Sequence, residues 1–236
     1  MPFATMTQGD ALTQLRQRLA ETTAAQWTDT ELRTWINEGM RDLARRTEAL
    51  EAPKATVAVT AAAQTYSAPT DLLRIHRLEY APSGENRIIG LEYQDFNNLD
   101  QVWFQQQTVT VGDPALYTMW GHPPNTKIIL YPTPTKAGSL YVYYYRIPTD
   151  LATTTTADAN TTLDVPAGWT DLIIDYAEYR ALRRSRDSAW QDARQTYEQS
   201  VDQLITNSRR WTDQSGGGWV SQGTQMLPPW LVQRGY

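Results

Sequence analysis

Cysteine is absent from the 236 residues, which excludes a disulfide framework and thiolate chemistry and suggests a reducing compartment. Histidine occurs only twice, as His76 and His122. A metal site or a catalytic triad needs a third ligand or base that neither has, so structural roles are expected for both. No Gly-rich phosphate loop, nucleophile elbow, zinc-helix motif or dinucleotide fingerprint is present, so the chain is expected to be no enzyme and to carry no cofactor or metal. No apolar run reaches 18 residues and no leader pattern opens the chain, so neither membrane insertion nor secretion is expected. Lysine is scarce, 3 against 18 arginines, and the formal net charge is −5. That balance argues against a freestanding nucleic-acid binder. Arginine suits planar pairing at buried protein surfaces better than lysine does.

What is present is apolar and aromatic: 41% hydrophobic residues, with 9 Trp and 13 Tyr. Such a chain can bury a real core. Thr7 to Glu21 reads as a short helix, with Thr7 and Asp10 as a capping pair. Thr28 with Glu31 is a capping box, and Trp27 ahead of it can pack on Leu32. Leu32, Trp35, Ile36, Met40, Leu43 and Ala44 then share one face of a second helix. Gly39 lies on that apolar face, where close approach of another backbone would explain a residue costing up to about 1 kcal/mol in a helix. Residues 7–52 are thus expected to form a helical hairpin.

From Pro53 the period changes to two. Thr56–Thr60, Leu73–Tyr80, Thr108–Val111, Lys127–Tyr131 and Ser139–Ile147 read as strands, and 53–150 as a β-rich domain. The last two strands flank a Pro/Gly loop and are expected to pair as a hairpin. Along the second of them Leu140, Val142 and Tyr144 point one way and Tyr141, Tyr143 and Tyr145 the other, so neither face is plainly wet. A Thr-rich loop, 151–164, leads to the longest helical pattern, 165–211. Pro166 presets its first turn, Asp171 and Asp175 favour its positive end, and Arg209 and Arg210 its negative end. About 45 helical residues would run about 65–70 Å. The pattern therefore implies either a break near Ser185–Ser188 or packing against copies of the same chain. Residues 212–236 follow as a flexible arm rich in Gly, Trp and Pro. The fold class expected is α+β: a helical bundle, made of the N-terminal hairpin and the long C-terminal helix, with an inserted antiparallel β-domain and an extended arm.

Three groups of residues are candidates for function. Arg180, Arg183, Arg184 and Arg186 could contact phosphates, but from Trp169 to Trp211 seven Arg balance seven Asp and Glu. Pairing with carboxylates of the same or adjacent chains is preferred, making them intersubunit candidates. Tyr141, Tyr143 and Tyr145 could stack on sugars or bases; burial in the core or an interface is the preferred reading. Trp219, Met226, Leu227, Trp230 and Tyr236 give the arm enough apolar weight to dock on a partner.

Three phrases carry a likeness to a known family: Trp27-Thr-Asp-Thr-Glu-Leu-Arg-Thr-Trp-Ile-Asn-Glu-Gly-Met-Arg-Asp-Leu-Ala44; Ile128-Ile-Leu-Tyr-Pro-Thr-Pro134 followed by Leu140-Tyr-Val-Tyr-Tyr-Tyr-Arg-Ile-Pro148; and Val165-Pro-Ala-Gly-Trp-Thr-Asp-Leu-Ile-Ile-Asp-Tyr-Ala177. With the order of elements, they resemble the head-to-tail adaptor (connector) proteins of tailed bacteriophages, including the tail tubular A proteins. The resemblance implies a structural virion protein at the neck between capsid and tail, assembled in the host cytoplasm. It further implies a homo-oligomeric ring of twelve copies below the portal protein, touching a tail or nozzle protein, with DNA passing through its channel without specific binding and no membrane involved. The arm 212–236 would dock on the portal. The alternative from a different class is a carbohydrate-binding or host-recognition module of a phage tail, resting on Tyr141, Tyr143, Tyr145 and Trp120.

Overall fold

The structure, a computed structural model, describes residues 6–21, 26–48, 50–97, 111–152 and 160–214, with side chains through residue 206. Helices α1 (Gln8–Arg18) and α2 (Asp29–Thr47) both begin on capping boxes. The Thr7 hydroxyl accepts from the Asp10 amide at 3.2 Å and the Thr28 hydroxyl from the Glu31 amide at 3.3 Å, and each carboxylate returns to its cap amide. Orphan donors at both helix starts are thereby satisfied by residues three apart in sequence. A 3-10 turn, Ala167–Trp169, leads into α3 (Thr170–Ser185), and α4 (Trp190–Gln214) follows.

The long helical pattern is broken. Arg186 takes a left-handed conformation, φ 59°, its amide closes on the Arg183 carbonyl at 3.2 Å, and the Asp187 carboxylate accepts from the Ala189 amide at 2.9 Å. The chain reverses there, and α4 packs back on α3. The interior shared by the four helices includes Leu15, Leu32, Ile36, Met40, Leu43, Trp169, Ile173, Ala177, Ala181, Tyr197 and Val201. At Gly39 a Cβ would stand 3.2 Å from Tyr176 Cβ and 3.3 Å from the Ile173 carbonyl oxygen. Glycine at this position lets α2 and α3 come together nearly backbone to backbone.

The strands among the described residues are β1 (Ala55–Val59), β2 (Thr65–Ser67), β3 (Leu72–Pro82), β4 (Ile89–Tyr93), β5 (Val111–Gly112), β6 (Leu116–Trp120), β7 (Lys127–Tyr131), β8 (Thr133–Pro134) and β9 (Gly138–Arg146). Seven of them form one sheet in the order β1-β9-β3-β4-β6-β7-β2, and β5 pairs with β8 apart from it. The two edge strands, β1 and β2, lie side by side, so the sheet is nearly closed on itself around Leu78, Tyr80, Ile128, Leu130, Leu140 and Val142. Helices pack on helices and strands on strands, which gives two cores.

This architecture corrects the expected fold class. Among the described residues the chain is mixed α/β, built on a large, nearly closed seven-stranded sheet with the four helices α1 to α4, and not a helical bundle with an inserted antiparallel β-domain. The sheet holds a parallel pair, Glu92 with Leu116 and Tyr93 with Tyr117. The expected hairpin is also overturned: β7 pairs with β6 and β2, while β9 pairs with β1 and β3. A period of two marks a pleated strand without naming its neighbour. Here the intervening Pro132 to Ala137 holds β8, which pairs with β5 and carries β9 to the other half of the sheet. Of the strand expected at Thr108–Val111, and of the Thr-rich loop, residues 108–110 and 153–159 lie outside the described residues.

The two cores meet at a narrow waist. The Arg146 amide donates to the Leu50 carbonyl at 2.9 Å and the Ile147 amide to the Asp71 carbonyl at 2.8 Å. Arg146 grips Asp164 with both guanidinium nitrogens, Nη2 to Oδ1 at 2.6 Å, and Asp164 also accepts from the Thr149 amide at 2.8 Å. Glu48, the cap of α2, pairs with Arg74 of β3. The Arg146 guanidinium holds the Asp164 carboxyl below its ordinary range. A carboxyl depressed in the folded state stabilises above its unfolded value, and that contribution disappears as pH falls through the folded value. Asp164→Asn should therefore cost about 1 kcal/mol at neutral pH and flatten the acid side of the stability profile below about pH 4. Thermal melts of both proteins from pH 2.5 to 7 measure this; parallel acid limbs would remove Asp164 from the account.

Candidate assembly interface

The arginine group sits on the C-terminal half of α3, where helical spacing turns alternate members toward α2. Arg180 pairs with Glu38 at 2.9 Å and Arg184 with Glu31, both carboxylates belonging to α2 of the same chain. Arg183 lies over the Trp190 ring, 5.7 Å from its centroid, and Arg186 is exposed at the helix reversal. The antiparallel run of the first two pairs, 180 with 38 and 184 with 31, staples α3 along α2.

The tyrosine group sits on the other core. Because side chains alternate along β9, Leu140, Val142 and Tyr144 enter the sheet core while Tyr141, Tyr143 and Tyr145 form a half-buried row outside. The row is flanked by Glu79, Arg77 and Arg74 of β3, opposite Tyr141, Tyr143 and Tyr145 respectively. Lys54 Nζ stands 4.1 Å from the Tyr141 ring centroid, and His76 meets Tyr145 edge-on at 5.8 Å. His76 is thus an aromatic neighbour, and His122 is exposed in the turn after β6. Tyr144, facing inward, donates to Asp71 at 2.9 Å; burial and that carboxylate push its hydroxyl up to about 12. It stays a donor at every physiological pH.

A third set of side chains was only partly legible. Ile88, Tyr93, Val111 and Trp120 are the large apolar side chains left exposed among the described residues, and all fall between residues 88 and 120. Trp120 leans on Phe96 with centroids 4.8 Å apart. Sequence singled out Trp120 alone, since Ile88, Tyr93 and Val111 belong to short strands or turns with weak alternation.

Polar ties between elements carry no local signal and were missed. Tyr197 of α4 donates to Asp42 of α2 at 2.6 Å, and Arg46, 3.0 Å from Asp42, also holds Glu198. Burial, and then the Asp42 carboxylate, push the Tyr197 hydroxyl far above its ordinary range, so it remains protonated. Arg16, 8% exposed, pairs with Glu21 and Asp29 and donates to the Trp27 carbonyl at 3.1 Å, tying α1 to the start of α2.

The structure brings Arg180, Arg183 and Arg184 together on α3, with Arg186 at the reversal that follows, and the three tyrosines on one strand, and it does not join the two groups. Trp219, Met226, Leu227, Trp230 and Tyr236 lie outside the described residues. Among the described residues no group of His, Asp or Glu is arranged to hold a metal ion, and no helix is long and apolar enough to cross a membrane. Compared with models of protein families, residues 6–223 match that of the SU10 adaptor protein. No match was found among curated proteins.

Proposed function

The chain belongs to the SU10 adaptor protein family, phage adaptor proteins with a structural role in the virion, and from that premise we propose that it forms a ring beneath the portal. Twelve copies would join the capsid vertex to a tail or nozzle protein at the neck and continue the channel through which DNA passes without being gripped. Kinship with the tail tubular A proteins belongs to the same proposal, carried by the phrases from Trp27 to Ala44 and from Val165 to Ala177.

The observation that carries the reading is the outer row Tyr141, Tyr143 and Tyr145. The sheet core is already filled from the opposite side of β9, yet this second side stays aromatic and half-buried, flanked by arginines, which is the composition of a protein interface core. Ring closure needs two different patches on each copy. The tyrosine row with Arg74 and Arg77 supplies one, and the helices, with Arg183 and Arg186 at the α3 reversal, supply the other. Sugar recognition fits this row less well at Tyr141, whose ring Lys54 covers, while His76 meets Tyr145 edge-on.

The arm is proposed to dock on the portal. Electron microscopy of isolated portal mixed with the full-length protein should show added density below the portal. Deleting Gly218–Tyr236 should leave a folded subunit and weaken docking by at least about tenfold, as loss of an apolar anchor segment does. Portal that never acquires the density rejects the adaptor ring; docking unchanged by the deletion removes the arm from it.

A further inference from the structure

The seven-stranded sheet ends in two open edges. β1 pairs only with β9 and β2 only with β7; the two edges approach each other, but among the described residues they share no ladder. Burial shows where the seam between them gapes. Ala55 and Val57 pack on the sheet core opposite Val142 and Leu140, which are fully buried, yet both stay only half-buried themselves. Val59, nearest the turn to β2, is 3% exposed. The seam is therefore shut at Val59 and open at Ala55. That open end lies beside the waist, where the Ala52 amide donates to the Tyr144 carbonyl at 3.0 Å. The sequence of β1, Ala-Thr-Val-Ala-Val, holds neither charge nor proline, two of the devices that keep an edge strand from taking a further strand.

We infer that the free edge of β1 is a strand-acceptor site and that its occupant is Trp219–Leu227 of the same chain. Where the helices end favours this occupant. α4 packs back along α3 with Tyr197 against Tyr176, and its C-terminal end overruns the first residue of α3 by about 15 Å, on the side of the waist. The arm thus leaves the helices at the level where the seam is open. Fully extended, residues 215–236 span up to about 70 Å, roughly twice the length of β3, so the edge is within reach. Composition agrees. Trp219–Leu227 has neither proline nor charge, and Pro228 and Pro229 then stop a ladder because they donate no backbone hydrogen. Ser215 and three glycines join this stretch to α4. So short a tether holds the arm at an effective concentration on the order of millimolar, which favours the chain's own arm over that of a free copy. The inference does not rest on the ring or the portal; a portal that binds this stretch must draw it off β1.

Hydrogen exchange on the isolated protein tests the pairing. Wild type is compared with the Gly218–Tyr236 deletion and with the full-length double variant Gln222→Pro, Thr224→Pro, which removes two backbone donors from the arm. The outward amides of β1 should exchange at least about tenfold faster in both variants than in wild type, while the amides between β3 and β9 keep their rates. A peptide of the sequence Trp219–Leu227, added in excess to the deletion protein, should restore the slow rates. In wild type those rates should hold through about a hundredfold dilution, because the strand is tethered. β1 amides that exchange alike in wild type and the deletion overturn the site, and a proline variant as slow as wild type overturns the strand pairing. Protection that fades on dilution gives the edge to another copy and overturns the occupant. Portal takes no part in these measurements, so a negative result leaves the adaptor reading standing.

Discussion

Gly138→Ala is expected to lower the melting temperature by about 10 °C, equivalent to a loss of about 3 kcal/mol for a chain of this size. Gly138 opens β9 and lies opposite Val59 on one side and Pro82 on the other. A Cβ at this point would stand 3.0 Å from Tyr80 Cε2 and press still closer on the Ala81 carbonyl oxygen. Tyr80 cannot retreat, since it is fully buried and its hydroxyl is fixed on the Lys136 carbonyl at 2.7 Å. The backbone of β3 must move instead, and β3 with β9 is the longest pairing in the sheet. Gly90→Ala on β4 is the control, because nothing lies within 4 Å of its added methyl. A Gly138→Ala protein melting with Gly90→Ala and wild type would show that the close approach at the start of β9 does not constrain the sheet.

Tyr197→Ala is expected to cost about 3–5 kcal/mol, the range for deleting a large buried ring. Tyr197 is 1% exposed, contacts Tyr176 and Tyr179 ring to ring at 5.4 and 5.9 Å, and carries Arg46 5.7 Å above its own ring. Its hydroxyl contribution is separable. Tyr197→Phe keeps the ring and should cost about 1–2 kcal/mol, since Asp42 loses a donor but retains Arg46. Chemical denaturation of both variants gives the two numbers, and equal losses would place the whole effect in the hydroxyl. Combining Tyr197→Ala with Gly138→Ala adds a further check. One acts on the helical core and the other on the sheet core, and losses at distant sites without shared partners add.

Much of the local structure was legible because its causes are local. Thr7 with Asp10 and Thr28 with Glu31 fix helix starts within four residues of chain, and the stripe Leu32, Ile36, Met40 and Leu43 records which side of α2 is buried. Gly39 was informative for the same reason: its cost on an apolar face called for a backbone close by, and Ile173 and Tyr176 provide it. Tertiary partnership was not legible. Nothing around Ile128 or Val142 tells β7 to seek β6 and β2, or β9 to seek β1 and β3. Register and neighbour are decided by core burial across the whole sheet. The short strands β2, β4 and β6 failed for a related reason, since three to five residues hold too few alternations to stand out from turns. For the candidate interface, the side of β9 bearing Tyr141, Tyr143 and Tyr145 could be read from alternation. The acids that Arg180 and Arg184 choose could not, because Glu38 and Glu31 lie more than 140 residues away in the chain.

The waist has a mechanical meaning. Force applied to the sheet and resisted by the helices travels through the two chain crossings near Leu50 and Arg146, through the forked grip of Arg146 on Asp164 and through the pair of Glu48 with Arg74. Crossings this few should resist stretch along the chain better than bending, so each subunit is expected to be stiffer under tension than in tilt. If copies assemble as proposed, a collar of them could lean with an attached tube while its upper tier held still, each member acting as a small gimbal pinned by Arg146 and Arg74.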